Sequence, residues 1–366
     1  MSTNTTEAAA AAPRPHTPIL RTLGISVAMT AIIAIIVLAF SWPALTAEPK
    51  DVSIAVVGPE QAVTAVEEQL AEASEGLFAI TEVDDRDAAV EGIESREFFG
   101  AIILGQEPEL LTASANGTIN TVVNQLATPL QAALTAQTQA AAEAAGQQAP
   151  AVELTVTDIA PFSEDDPNGA LLSSAFFPML FGGIIGGVLI GTVIIGSFRR
   201  ILSVVVYSAA GGIVLASILQ GWFGSIQGDY WLNAAAFAMT IAAISAPMIG
   251  FVALIGRAGT AVGPVVMMLF ANPISGTALP PQFLPGAWGE IGQWFPPGAG
   301  ATLVRELSYF PAADTTFSWL VLTGWIIGGF LLAILGHFRT AVTDAPAAEI
   351  AADADTPRLE NADARA

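Results

Sequence analysis

A membrane α-helical bundle of six transmembrane helices, with an extracytoplasmic α/β domain inserted between helices 1 and 2, is the fold class this sequence predicts, and three observations carry it. The 366 residues are 53% hydrophobic and only 12% charged, outside the range of a soluble globular domain. Apolar runs near or above the ~20 residues that cross a ~30 Å hydrocarbon core recur along the chain. Between Pro43 and Ala170, by contrast, lie 22 of the 33 acidic residues against three cations, Lys50, Arg86 and Arg96, so this one segment reads as water-soluble. The formal net charge of −21 therefore belongs mostly to a single acidic domain, which disfavours nucleic acid as a partner and docking of that domain on anionic lipid headgroups.

Residues 1–18 are rich in Ala, Thr and Pro without apolar periodicity and read as a disordered cytoplasmic tail. The first span is placed at 19–42, around the apolar run Leu23–Phe40, with Arg14 and Arg21 before it and Trp42 and Pro43 at its outer interface. A signal peptide ending near Ala47 is the competing reading, but an 18-residue apolar core is long for one.

The domain at 43–170 opens on the β-branched run Val52–Val57, bounded by Gly58–Pro59, which predicts a buried strand. Residues 60–73 place Val63, Val66 and Leu70 on one helical face. Strands follow at 77–83 and 98–104 with a helix at 84–97 between them, and 152–159 alternates as a final strand. Strands apolar on both sides, alternating with helices, predict a mainly parallel sheet covered by helices. The Ala/Gln-rich stretch 120–146 carries one narrow apolar stripe, Val122, Leu126, Leu130 and Leu134.

The membrane domain is expected at 171–339. Its first span, Leu171–Phe198, holds no charge and ends at Arg199–Arg200. Gly182, Gly183, Gly186, Gly187 and Gly191 set up three overlapping small-xxx-small spacings, which admit a close helix neighbour either within one subunit or across a dimer. The chain turns back through Ile201–Phe223, then crosses again over about Leu232–Ile255, ending at Arg257. Ala258–Ala271 is apolar but short for a crossing. Proline-rich residues 272–316 contain amphipathic pieces within about 283–310, read as short helices in the outer interface. Phe317–Gly336 is the last span, with Gly324 and Gly328 spaced for packing, and 340–366 reads as a second disordered cytoplasmic tail. With both termini inside, Arg14, Arg21, Arg199, Arg200, Arg257 and Arg339 all fall at cytoplasmic membrane edges, as the positive-inside rule requires.

The layout, together with the run Asn272-Pro-Ile-Ser-Gly-Thr-Ala-Leu-Pro-Pro-Gln-Phe-Leu-Pro and then Pro296-Pro297-Gly298 through Arg305 to Phe310, resembles the ABC-2 superfamily of exporter permeases, in its phage infection protein (Pip)-like branch of bacterial membrane proteins. The resemblance implies a plasma-membrane subunit working among membrane lipid as a homodimer, or a heterodimer with a sister permease, either beside a separate ABC ATPase or as a surface protein without an assigned ATPase. It also implies export of an amphipathic or lipid-linked substrate without a cofactor. On the same basis Asn272, Pro273, Gly276, Pro296, Pro297, Gly298 and Arg305 are carried over as substrate-path or gating residues. The chain departs from the family in its second cytoplasmic loop, which is little more than Arg199–Arg200.

Several chemistries are disfavoured by the residues themselves. No Gly-x-x-x-x-Gly-Lys-[Ser/Thr] sequence occurs, and the single lysine is Lys50, so the chain is not its own P-loop ATPase. The spans carry no interior Asp, Glu, Lys or Arg, which disfavours ion-coupled transport. Cysteine is absent, and the two histidines, His16 and His337, lie at membrane edges, so neither a catalytic set nor a metal site is expected. The cluster Asp84, Asp85 and Asp87 lacks a calcium-loop pattern and reads as a helix start. Arg305 stands out as a charge in an aromatic-flanked segment. Holding a lipid phosphate, meeting an acid of a neighbouring subunit, pairing locally with Glu306 or Glu290, and snorkelling to water all remain open for it. The alternative function is a non-transporting cell-surface scaffold or receptor whose acidic domain binds a partner protein or an envelope polymer.

Overall fold

The computed structural model describes residues 17–73, 76–148 and 151–354, with the backbone alone at 72–73 and from 339 onward. Arg14, most of the expected N-terminal tail, residues 355–366 and the Arg339 side chain lie outside it. Helix α1, Ile19–Thr46, follows from a long apolar run; inside it the Ser26 hydroxyl donates to Thr22 O and that of Thr30 to Ser26 O, each at 3.0 Å. Of its residues only Pro43 is buried. The helix is anchored at its C-terminal end, where Trp42 meets Trp288 edge-on at 6.1 Å and the Glu48 amide donates to Phe283 O at 3.0 Å.

The α/β domain contains strands β1 (Val52–Val57), β2 (Phe78–Glu82), β3 (Gly100–Ile103), β4 (Glu109–Thr112) and β5 (Thr155–Asp158). They form one sheet in the order β2-β1-β3-β4-β5. Three of its four pairings are parallel, and β3 with β4 is antiparallel, Ala101 opposite Leu111. β4 is the strand that sequence patterning left unassigned; four residues offer too short a window for alternation to register. Helices α2 (Glu60–Ala73), α4 (Thr118–Asn124) and α5 (Ala127–Ala144) cover one face of the sheet, and α3 (Arg86–Glu94) the other. Asp85 caps α3 by accepting from the Ala88 amide at 2.9 Å, which gives the acidic cluster a structural use.

Alternation along β1 sends Val52, Ile54 and Val56 into the core beneath α2, α4 and α5, while Ala55 points the other way. That second face does not end at the domain. Ala55, Ala89, Ile93, Phe98, Ala101 and Leu111 belong to a buried cluster that runs on through Phe176, Phe237, Leu303 and Phe310 of the membrane domain.

The membrane domain is built around α8 (Tyr230–Ile255), whose stretch from Thr240 to Gly250 is buried throughout. Helices α6 (Ala170–Val193), α7 (Ser197–Ala216, prolonged by a π-helical turn to Trp222) and α12 (Thr316–Ala354) pack on it. Small residues bring the backbones together. A Cβ at Gly183, Gly187 or Gly191 would lie against Ile244, Met248 or Val252, so α6 and α8 run parallel in register, and the Ser245 hydroxyl donates to Gly183 O at 2.8 Å. Gly182 and Gly186 instead face Tyr207 of α7, whose hydroxyl donates to Gly182 O at 2.8 Å. All five glycines of α6 thus find their neighbours within this chain.

Three sequence expectations change. The second span stops at Val193, because Gly196 turns the chain at φ +95° and Arg199–Arg200 begin α7 rather than ending α6. Gly324 and Gly328 are not at a helix contact within the chain, since nothing lies within 4 Å of a Cβ built on either. The close approach of α12 to α8 is made by Gly329 and Gly336 against the backbone at Ala246 and Ala253, the helix being rotated from the face that spacing suggested. α12 also continues helically to Ala354, where a disordered tail was expected from 340; the alanine-rich composition there has high helix propensity. Among the described residues five helices are long and apolar enough to cross a membrane, and Ala258–Ala271 is joined to α8 in one of them rather than standing as a separate helix. It is the returning limb of a fold-back. Gly256, at φ +62°, reverses the chain, and the short helix α9 (Gly259–Pro264) runs back beside α8 with Gly259 against the Phe251 backbone and Gly263 against the Met248 side chain.

The parallel registers place the α6–α7 turn, the Gly256 turn and the Gly336 region at one end of the bundle, opposite the α/β domain. Arg199, Arg200 and Arg257 therefore share that end.

Candidate functional site

Two short helices close the α/β-domain end of the bundle: α10 (Trp288–Gln293) and α11 (Pro296–Tyr309). Pro296 and Pro297 start α11 where prolines cost no helical hydrogen bond, and both are buried. The glycines of this region are needed for close backbone approach: a Cβ at Gly292 would strike Ile274 O, one at Gly298 would strike Gly292 O, and one at Gly300 the Thr240 side chain. The result is a tightly nested loop–helix unit between α8 and α12. Tyr309 locks its end by donating to Ser225 O at 2.6 Å and by an edge-on contact with Phe162 at 5.5 Å.

From α11 two charged side chains point towards the α/β domain. Glu306 accepts from Arg96 Nη1 at 3.1 Å, joining residues 210 positions apart. Arg96 follows α3 in a left-handed conformation, φ +63°, where glycine is usual, and its guanidinium lies 5.1 Å from the centre of the Phe310 ring. Arg305, one residue before Glu306, makes no ion pair with it or with Glu290. Burial, and then the nearby Arg96 charge, pull the Arg305 guanidinium down to about 10, so it is still a cation at neutral pH. Burial also lowers Arg96 and raises Glu306, with their mutual attraction opposing both shifts.

These groups border two cavities, and a third lies on the bundle flank. A chamber of 470 Å³ lies between the α/β domain and the outer helices, with Lys50, Asp51, Arg96, Glu290, Arg305 and Glu306 as its charged lining. Its lining cations and carboxylates are equal in number. A smaller cavity of 80 Å³ shares Arg96, Arg305, Pro281 and Gln282 with it and has no carboxylate at all. On the flank, an apolar groove of 760 Å³ opens between α8 and α12, lined by Pro247, Phe251, Trp294, Phe317, Leu320 and Trp325 among others. Gln293 borders the polar chamber and the next residue, Trp294, the apolar groove.

Of the residues carried over by resemblance, Arg305 alone lines both polar cavities. Gly276, at φ +79°, lines the smaller one. Pro296, Pro297 and Gly298 build the buried start of α11, and Asn272 and Pro273 turn the chain after α9, the Asn272 carbonyl accepting from the Ser275 hydroxyl at 2.7 Å. Gly324 and Gly328 line the apolar groove. At the far end Arg200 Nε caps the turn by donating to Ile194 O at 2.7 Å. Sequence reasoning did not single out Arg96. The available signal was its rarity, one of three cations among 22 acids in its segment.

Comparison of the chain with models of protein families, with curated proteins and with solved structures gives no match.

Proposed function

We propose that this protein is an ABC-2-type permease-like subunit of a bacterial plasma membrane that exports, or helps export, an amphipathic or lipid-linked substrate with a separate ATPase. The observation that carries this reading is the adjacency of the two kinds of cavity: a charged chamber at the α/β-domain end and an apolar groove on the bundle flank, divided at Gln293–Trp294. A molecule with a polar head and an apolar tail matches that pair. The gathering of Arg199, Arg200 and Arg257 opposite the α/β domain supports a cytoplasmic assignment for their end and an extracytoplasmic one for the domain. In this arrangement the fold-back at Gly256 supplies two further passes into the membrane, α8 and the returning limb, giving six in all. α1, almost wholly exposed, and the open groove are available to lipid or to a second permease subunit.

The second reading, a surface scaffold that transports nothing, draws support from the α6–α7 turn, whose three residues Ile194–Gly196 leave no loop there for an ATPase to grip. Purification of the full chain in mild detergent from its native membrane separates the two. An ABC ATPase that copurifies, and whose hydrolysis rate changes when the permease is present, is the expected result for an exporter. Loss of cellular function on deleting the α/β domain, with no ATPase ever recovered, supports the scaffold.

A further inference from the structure

The 80 Å³ cavity poses an electrostatic problem. Two guanidinium groups, Arg96 of the acidic α/β domain and Arg305 of α11, border it with no carboxylate in its lining. Like charges facing one small, largely desolvated space repel strongly unless something of opposite sign lies between them. Glu306 answers one of them, through Arg96 Nη1. Arg96 Nε remains buried without a hydrogen-bond acceptor.

Neutral groups around the same space are unsatisfied too. Asn116 also lines it, is 4% exposed, and has a hydrogen-bond partner for neither its amide nitrogen nor its amide oxygen. Gln282 Oε1 is likewise buried without a donor. Native interiors rarely leave several polar atoms unpaired around one cavity, and such a set is accounted for by an occupant that bonds them together. Water alone would satisfy the amides but not the surplus positive charge.

We propose that this cavity is an oxyanion site that takes a phosphate group, held by Arg305 and Arg96 from opposite sides of the seam and by the Asn116 amide. Arg305 supplies unpaired planar donors suited to two phosphate oxygens, Arg96 contributes Nε, and Asn116 contributes Nδ2. A protonated phosphate oxygen can in turn donate to Asn116 Oδ1. With Glu306 already countering one guanidinium, a single negative charge makes the cluster neutral. The volume suits one such group rather than a whole lipid. The phosphate therefore arrives either as a free ion or as the headgroup of a lipid whose remainder lies in the neighbouring 470 Å³ chamber. The lipid form deepens the exporter reading by naming its headgroup chemistry and rests on that reading; the free-ion form stands without it.

The test uses the full chain in a neutral maltoside detergent and phosphate-free buffer. Inorganic phosphate at millimolar concentration is expected to raise the melting temperature of the wild-type protein. Arg305→Gln should weaken half-saturation by about ten-fold or more, the loss expected for one or two charge-assisted hydrogen bonds, whereas Arg257→Gln at the far end of the bundle should leave it unchanged. Asn116→Asp guards against a folding defect. It places a built-in anion in the cavity, so it should melt higher than wild type without phosphate and respond little when phosphate is added. In parallel, native mass spectrometry after incubation with phosphatidic acid reads the lipid arm. One retained lipid in the wild type and in Arg257→Gln, but not in Arg305→Gln, assigns the site to a lipid headgroup. A phosphate response without lipid retention assigns it to the free ion and leaves the exporter reading to its own test. Neither a phosphate response nor lipid retention, or responses equal in Arg305→Gln and wild type, overturns the proposal.

Discussion

Arg96 occupies a backbone conformation that costs an ordinary residue about 1–2 kcal/mol, and it does so at the seam between two domains. The strain is offset by what the position allows: a guanidinium that reaches Glu306 and the Phe310 ring together. Both partners of the ion pair are about one-eighth exposed, with side-chain accessibilities of 13% and 12%, so removing one leaves the other charged and poorly solvated. Glu306→Gln should therefore destabilise the protein by about 3 kcal/mol, the low end for breaking a buried pair. Replacing both ends, Arg96→Met with Glu306→Leu, should cost less than the two single losses added together. A double-mutant cycle on thermal unfolding in detergent checks this, and simple additivity would show that the pair does not couple the domains.

Among the helices, glycine has two different uses that look alike in sequence. On α6 it makes room: a Cβ at Gly187 would come within 2.8 Å of the Ser245 carbonyl oxygen, which cannot move without disturbing α8. On α12, Gly324 and Gly328 border open groove, with nothing within 4 Å. Gly187→Ala should accordingly loosen the α6–α8 contact and lower the melting temperature. Gly328→Ala should hold or raise it, since alanine is favoured over glycine in a helix interior by about 1 kcal/mol. The same thermal assay reads both, and equal destabilisation at the two sites would contradict the packing described for α12. Should Gly328 lie in a dimer contact instead, the alanine variant would shift the protein from dimer to monomer on sizing.

The molecule as a whole is not a bundle with a loosely tethered domain. The sheet face carrying Ala55 and Leu111 shares a continuous core with α8 and α11, so the α/β domain and the membrane part are packed as one body at the seam. Orientation is then a single property of the whole. The chain has no cysteine, which makes accessibility mapping direct. With a membrane-impermeant maleimide on intact cells, Glu68→Cys and Gly286→Cys should label at once, and Arg199→Cys and Arg257→Cys only after permeabilisation. Labelling of Arg257→Cys from outside would reject both the proposed cytoplasmic location of that end and the proposed six-pass arrangement.

Hydrophobicity and local periodicity are sums over neighbouring residues, and what depends on such sums was legible in the sequence: the apolar helices, the acidic α/β insert, the helix start at the Asp84, Asp85 and Asp87 cluster and the closely spaced glycines of α6. The sixth crossing was not settled by them, because a short apolar limb reads the same whether it spans alone or folds back, and only the reversal at Gly256 shows where it packs. Nor could spacing tell which face of α12 meets α8, since Gly324, Gly328 and Gly329 differ by rotation about one axis and only the partner helix selects among them. Arg305 was conspicuous from its surroundings in sequence. Its convergence with Arg96 and Asn116 was decided by the tertiary structure, because it depends on strand order in the sheet and on how that sheet docks against α11, contacts between residues some two hundred positions apart that no local pattern encodes.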